Sequence, residues 1–245
     1  MRIVVVGSTG SLGKAIVARA LEAGHEVVGA SRSAGVKVDV STGQGLVEAF
    51  AGAEVVMDAT NALGGARDVL VEGTRRMLEA ARLAGVGHFV GISIVGIDDA
   101  PLAYYQAKVA QERVIEASAV PWSLLRATQF HDLIPRLAPQ RLGIVIAPRG
   151  FALQPIDVRE VAAVLVAAAG APPAQRLPEI GGPEVVPFAE LVRRWLAAAH
   201  LRRFVLPVPV PGARGRFLRS GKLTTPGRAI GTLTFAQWLA ERYPT

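Results

Sequence analysis

Residues 2–23 hold three features in immediate succession: an apolar run, RIVVV; a turn, GSTGSLG, with glycines at 7, 10 and 13; and an amphipathic stretch that stops before Gly24. A strand that enters a helix through glycines three apart leaves few folds open. Gly7 permits the tight turn, Gly10 lets a ligand approach the backbone, and Gly13 lets the helix pack closely on the strand. A nucleoside-triphosphate loop would need G-x-x-x-x-G-K-[ST]. Counting back from Gly13-Lys14, the first glycine is replaced by Ser8, and the required hydroxyl is replaced by Ala15. The spacing suits the pyrophosphate of a dinucleotide instead. It would be held by Gly7, Ser8, Thr9, Gly10, Ser11, Leu12 and Gly13, at the free N–H groups of a helix N-terminus.

The rest of the first half repeats the strand–helix rhythm. Short apolar runs at 2–6, 26–30, 36–39, 54–58, 88–93 and 122–126 alternate with helical patterns at 11–23, 43–51, 65–84 and 103–118. The runs are continuous rather than alternating, which predicts strands buried on both faces of a parallel sheet. Gly24 and Gly85 stand where helix C-caps belong. From about residue 128 the rhythm breaks, and four prolines fall between 135 and 155. A helix at 158–169, opened by Asp157 and Glu160 and closed by Gly170, precedes the linker-like APPAQRLP. A last helix pair is expected at 187–200 and 234–243. The fold class read from this is α/β: a doubly wound parallel sheet with a small C-terminal α/β substrate lobe. We expect one domain over 1–245, with about 128–156 and 171–245 forming the lobe.

Cysteine is absent, which excludes disulfides and thiol chemistry. The histidines lack metal-ligand spacing, so no metal is expected. The longest apolar stretch, 161–171, is too short to span a bilayer, and residues 1–6 are too short for a signal-peptide core. No membrane partner and a cytoplasmic location are expected. The net charge of +7 is C-terminal: residues 1–174 hold 16 basic and 16 acidic side chains, residues 175–245 hold 11 and 4. The arginines there are scattered and form no DNA-binding motif, so nucleic acid is not the expected partner; a small-molecule substrate is, and a homodimer stays open. Lysine occurs only four times, which makes each lysine worth placing.

The end of the second strand should meet the adenosine ribose. It reads Ala30-Ser31-Arg32-Ser33, with no carboxylate to favour NAD(H). Arg32 with Ser31 suits a 2′-phosphate, so NADP(H) is favoured over NAD(H); the alternative for Arg32 is an ordinary surface charge. Asp39 and Val40 would hold the adenine edge, unless Asp39 is a turn or cap residue. Ala59, Thr60 and Asn61, after the fourth strand, would line the nicotinamide side. Tyr104 and Lys108 are four apart on a helix and share a face. A nearby ammonium lowers a phenol's pKa, and a serine such as Ser93, ending the fifth strand, can polarise a carbonyl. Gln129, Phe130, His131 and Gln154 are the substrate-side candidates. Arg126 is expected in a structural ion pair or carbonyl contact.

The glycine turn, Ser93 and the Y-x-x-x-K pair resemble the short-chain dehydrogenase/reductase superfamily. YYQAKVAQERVIEASAVPWSLLRATQF, LQPIDVREVAAVLV and IGGPEVVPFAEL resemble its atypical, NmrA-like NAD(P)H-binding branch. The resemblance implies a Rossmann domain with a substrate lobe. It also implies roles: Tyr104 as general acid–base, Lys108 as its electrostatic partner and ribose anchor, Ser93 as carbonyl-orienting group. The expected activity is an NADP(H)-dependent oxidoreductase moving a hydride to or from a small carbonyl, quinone or enone. The alternatives are a non-catalytic NADP(H) sensor of the NmrA type and, behind it, a sugar-nucleotide epimerase or dehydratase.

Overall fold

A computed structural model of the chain describes residues 1–62, 64–138, 140–141 and 143–244. In chain order the elements are β1 (Arg2–Val6), α1 (Ser11–Glu22), β2 (Glu26–Ser31), β3 (Val36–Lys37), α2 (Leu46–Phe50) and β4 (Val55–Asp58). A π-helical stretch (Arg67–Glu72) runs into α3 (Gly73–Leu83), then β5 (His88–Ile94), α4 (Ala103–Glu116) and β6 (Trp122–Ala127). Next come α5 (Leu133–Leu137), β7 (Gln140–Arg141), β8 (Ile144–Pro148), β9 (Ala152–Leu153), α6 (Val158–Ala169) and β10 (Gln175–Arg176). The chain ends with β11 (Val186–Pro187), α7 (Phe188–Ala198), β12 (Phe204–Val208), α8 (Gly212–Arg219), a 3-10 turn (Pro226–Arg228) and α9 (Phe235–Arg242).

Two compact units result. The first comprises Met1–Ser93, Ala103–Arg126 and Val158–Pro178; the second comprises Ile94–Leu102, Ala127–Asp157 and Glu179–Thr245. Compared with the lobe expected from sequence, the second unit gains 94–102 and loses 171–178.

The first unit is built on a seven-stranded sheet of order β10-β6-β5-β4-β1-β2-β3. β1 pairs in parallel with both β2 and β4, and the β2–β3, β4–β5 and β6–β10 pairs are parallel too. The continuous apolar runs are explained by burial on both faces: Ile3, Val4 and Val5 are fully enclosed. α1 packs on α6, while α2, α3 and α4 pack in sequence with one another. Phe50, Met77, Ala81 and Ile115 from that second group meet Val4, Val6, Val56, Phe89 and Leu124 of the sheet in one core cluster. The strand order reverses between β1 and β4, and in such sheets the crevice at the carboxyl ends there is the ligand position.

Several boundaries differ from the sequence reading. β3 stops at Lys37, not Asp39, and α2 is only Leu46–Phe50. The linker-like APPAQRLP supplies β10, an edge strand with Gln175 opposite Ser123. Gly73 sits inside the helical run because a Cβ there would lie 3.0 Å from the Val40 side chain.

In the second unit a three-stranded sheet, order β12-β8-β7, and a β11–β9 pair both pack against α7, which also meets α5 and α9. Phe188, Leu191, Val192 and Phe235 are buried, and Trp195 Nε1 donates to the Tyr243 hydroxyl at 3.1 Å. α9 starts on a capping box: Thr234 Oγ1 accepts from Gln237 N–H at 3.2 Å, and the Gln237 side chain accepts from Thr234 N–H at 2.8 Å.

Candidate functional site

The chain leaves β1 at Val6 and turns at Gly7, whose φ is +82°. The N–H groups of Gly7 and Ser8 both donate to Ala30 O, at 2.9 and 3.3 Å, which fastens the turn to the end of β2. A Cβ on Gly7 would lie 2.8 Å from the Ala59 carbonyl, and one on Gly13 would lie 2.2 Å from Gly7 O. Those two glycines are demanded by the protein's own packing. Gly10 is different. It is exposed, its φ is −71°, and an added Cβ would meet only Gly7 O, at 3.4 Å. Glycine at 10 therefore keeps the outer side of the turn clear. α1 carries no side-chain cap and no acidic residue in its first turn. The N–H groups of residues 11–13 and the positive dipole end remain for an anion. This cradle fits a dinucleotide pyrophosphate. Thr9 is exposed beside it, Leu12 is buried beneath it, and Lys14 is an exposed first-turn residue whose N–H donates to Gly10 O.

On the adenosine side, Ser31 Oγ donates to Ala34 O at 2.6 Å and accepts from Ala34 N–H at 2.9 Å. Its hydroxyl closes the loop after β2. Arg32 is exposed and its guanidinium has no hydrogen-bond or ion-pair partner among the described residues. The Asp39 carboxylate accepts from Ser41 N–H at 2.8 Å and its carbonyl from Gly43 N–H at 2.7 Å. Asp39 thus holds a turn, and Val40 is buried next to it.

β4 ends on Asp58, which is 3% exposed. Its Oδ1 accepts from Thr60 N–H at 2.8 Å and Thr60 Oγ1 at 2.6 Å. Its Oδ2 accepts from Gln111 Nε2 at 2.9 Å and Thr74 Oγ1 at 3.3 Å. Ala59 and Thr60 are half-buried, Ala59 lying against Gly7, and the exposed Asn61 follows. Asn61 Oδ1 accepts the Tyr104 hydroxyl at 3.0 Å. One turn along α4, Lys108 is 4% exposed, and its ammonium donates to Ile92 O at 2.7 Å and Gln111 Oε1 at 2.6 Å.

Burial pushes the Lys108 amine down to about 8, against the opposing pull of the Asp58 and Glu112 charges. Burial pushes the Tyr104 phenol up, partly offset by its bond to Asn61. This corrects the sequence expectation that Lys108 would lower the phenol. The two share a helix face, but the lysine reaches β5 while the phenol reaches the loop after β4.

Ser93 is also placed differently from expectation. The residue is 2% exposed, and its hydroxyl forms no hydrogen bond of normal length among the described residues. Burial by itself would raise the Glu112 carboxyl; Arg126, and behind it Ser93, hold it low. Arg126 pairs with Glu112 through two bonds, Nε to Oε1 at 2.9 Å and Nη2 to Oε2 at 2.7 Å, and Arg176 adds a third at 2.9 Å. The structural ion pair expected for Arg126 is there, and Ser93 belongs to its surroundings rather than to an open surface.

The substrate-side candidates all lie in the second unit. Gln154 is 1% exposed with its amide fully used: Nε2 donates to Gly182 O at 2.7 Å and Oε1 accepts from Thr225 N–H at 2.6 Å. It is a cross-link between three segments, not a free recognition group. His131 is buried; Nε2 lies 3.1 Å from Leu233 O, and its ring centroid is 5.6 Å from Phe235 and 5.9 Å from Trp238. Gln129 is buried, and the half-buried Phe130 bridges to Ile156 through its backbone. The sequence reading missed Thr74, Gln111 and Glu112. The only signal for the last two was their spacing of three and four from Lys108.

A parallel sheet whose order reverses beside β1, with an uncapped glycine turn at that point, defines a dinucleotide-binding Rossmann domain. Residues 7–172 match the NAD(P)H-binding family, and this chain belongs to it. The (4-alkanoyl-5-oxo-2,5-dihydrofuran-3-yl)methyl phosphate reductase of Streptomyces griseus is 30% identical over 200 residues, covering 75% of this chain and 69% of its own. Triphenylmethane reductase of Citrobacter sp., complexed with NADP(H), superposes with a TM-score of 0.76 at 17% identity, over 99% of this chain and 100% of the other. A short-chain dehydrogenase/reductase superfamily protein of Agrobacterium tumefaciens with bound NAD superposes at 0.70 and 23% identity, over 98% and 95%. The fold is thus the one the sequence resemblance implied. Among the described residues no helix is long and apolar enough to cross a membrane, and no cluster of three His, Asp or Glu side chains is placed to hold a metal.

Proposed function

We propose that the protein is an NADP(H)-dependent oxidoreductase that reduces a small carbonyl, quinone or enone. The observation that carries this is Lys108. A lysine ammonium at 4% exposure that rests on a carbonyl and an amide, with no carboxylate in direct contact, costs stability. Groups held this way concentrate at functional sites. Residues 7–13 and Lys108 would hold the cofactor, and Arg32, without a partner among the described residues, would take the 2′-phosphate. The cofactor when bound supplies the hydride. Lys108 has one N–H left after its two bonds, and that donor suits a ribose hydroxyl. Tyr104, raised by burial, keeps its proton at neutral pH. It therefore suits donating a proton to a substrate that has accepted hydride, which favours the reductive direction.

The Streptomyces griseus relative supports the enone class. Its named substrate carries a ring double bond conjugated to carbonyl groups, and its name describes a reductase. The test is NADPH oxidation over a panel of enones, quinones and aldehydes. Tyr104→Phe should lower kcat by about 100-fold or more while NADPH affinity stays within about twofold. Turnover at the parental rate in that variant would sink the proposed proton donor. A second reading, a cofactor-binding sensor without turnover, draws support from Ser93, which is enclosed beside Glu112. It is the reading to adopt if the parent protein binds NADPH and reduces nothing in the panel.

A further inference from the structure

Asp58 is a buried carboxylate whose four acceptor positions are filled by neutral donors: two from Thr60 and one each from Thr74 and Gln111. No cation touches it among those contacts. The bonds lead in two directions. On one side, Gln111 gives Nε2 to Asp58 and to Thr74 Oγ1, the latter at 3.0 Å, so its amide can turn only Oε1 toward Lys108. On the other side, Oδ1 closes the turn at Thr60, and the next residue, Asn61, accepts the Tyr104 hydroxyl. We infer that Asp58 is the positioning residue of this site: through Gln111 it fixes the Lys108 ammonium, and through Thr60 it fixes the loop that brings Asn61 to Tyr104. What those two side chains do in turnover rests on the oxidoreductase proposal. The positioning does not.

Gln111 works as an adapter. An acid in contact with Lys108 would neutralise it in a tight pair. An amide between them passes on orientation and lets the carboxylate act only at a distance. The charged groups that reach Lys108 are Asp58 from β4 and Glu112 from its own helix, and Glu112 is engaged by Arg126 of β6 and Arg176 of β10. Asp58 is thus the one of the two whose charge no cation occupies by direct contact.

The chain has only four lysines, Lys14, Lys37, Lys108 and Lys222, so a pH titration of protein labelled with 13C at lysine Cε follows each one. Lys108→Arg identifies the resonance. In the parent, Lys108 should titrate near about 8. Asp58→Asn should lower that midpoint by about half a unit or more, because the variant removes the charge and lets the Gln111 amide turn over. Gln111→Met, which deletes the adapter and adds no polar group, should lower it as well, and an unchanged midpoint there refutes the route through Gln111 even if Asp58→Asn does not fold. A purely structural Asp58 would cost melting temperature in both variants and leave the midpoint where it is; that result overturns the inference. Loss of the oxidoreductase proposal, by a parent protein that binds NADPH and reduces nothing in the panel, leaves these titrations unchanged, so the two failures are separable.

Discussion

Stability at alkaline pH gives a direct measure of what burying Lys108 costs. The amine falls from 10.5 to about 8 on folding, with the side chain 4% exposed, so solvent screening removes little of the effect. At 1.36 kcal/mol per unit, that drop corresponds to about 3 kcal/mol. The unfolded chain holds the proton up to about 10.5, whereas the folded chain releases it near 8. Between those values the unfolded state binds more protons, so raising the pH favours the folded state. Below pH 8 both states are protonated and the cost is constant. The assay is urea unfolding at fixed ionic strength from pH 7 to 10.5, comparing the parent with Lys108→Met. Subtraction cancels the tyrosines and the other three lysines. The bonds that Met cannot make to Ile92 O and Gln111 Oε1 add a constant offset. The parent should gain about 3 kcal/mol on the variant across the window. A flat difference, or one that falls with pH, would refute the assignment of a depressed lysine.

The three glycines of the turn should behave unlike one another. Gly10→Ala should leave the melting temperature nearly unchanged but weaken NADPH binding by about tenfold or more, because its Cβ meets little of the protein. Gly13→Ala should cost about 2 kcal/mol or more of stability, since its Cβ would lie 2.2 Å from Gly7 O. Equal effects of the two changes on melting temperature would contradict this division. Arg32→Ala should weaken NADPH binding by about 1–3 kcal/mol and NADH binding by much less. Titration calorimetry with both cofactors checks it, and an equal loss for both would remove Arg32 from the 2′-phosphate.

What could be read from the sequence follows the range of the forces that decide it. The sheet and its glycine turn are local: apolar runs, a helix period and three glycines specify them within a few residues. β10 could not be read that way. It is two residues of an apparent linker, Gln175 and Arg176, made into a strand only by the edge of β6. Ser93 shows a sharper limit. Its place at a strand end suggested an open site, but successive residues of a strand face opposite sides, and Ser93 faces the Glu112 pair. Gln154 shows another: a glutamine before a helix looks available until the backbone groups of Gly182 and Thr225 arrive from distant segments to use its amide.

The Tyr104–Lys108 pair carries this furthest. Helical spacing correctly puts both residues on one face, and from that alone the lysine should ease the phenol's ionisation. Desolvation acts on whichever form is charged, so the same burial moves them in opposite directions, the amine toward losing its proton and the phenol toward keeping it. Their side chains also diverge, Lys108 to Ile92 O and Tyr104 to Asn61 Oδ1. A pair read as a general acid–base with a cation as its partner becomes, in three dimensions, a protonated phenol beside a separately anchored amine. On the oxidoreductase proposal, that arrangement suits reduction at neutral pH. For oxidation it would first have to ionise a phenol that burial holds neutral.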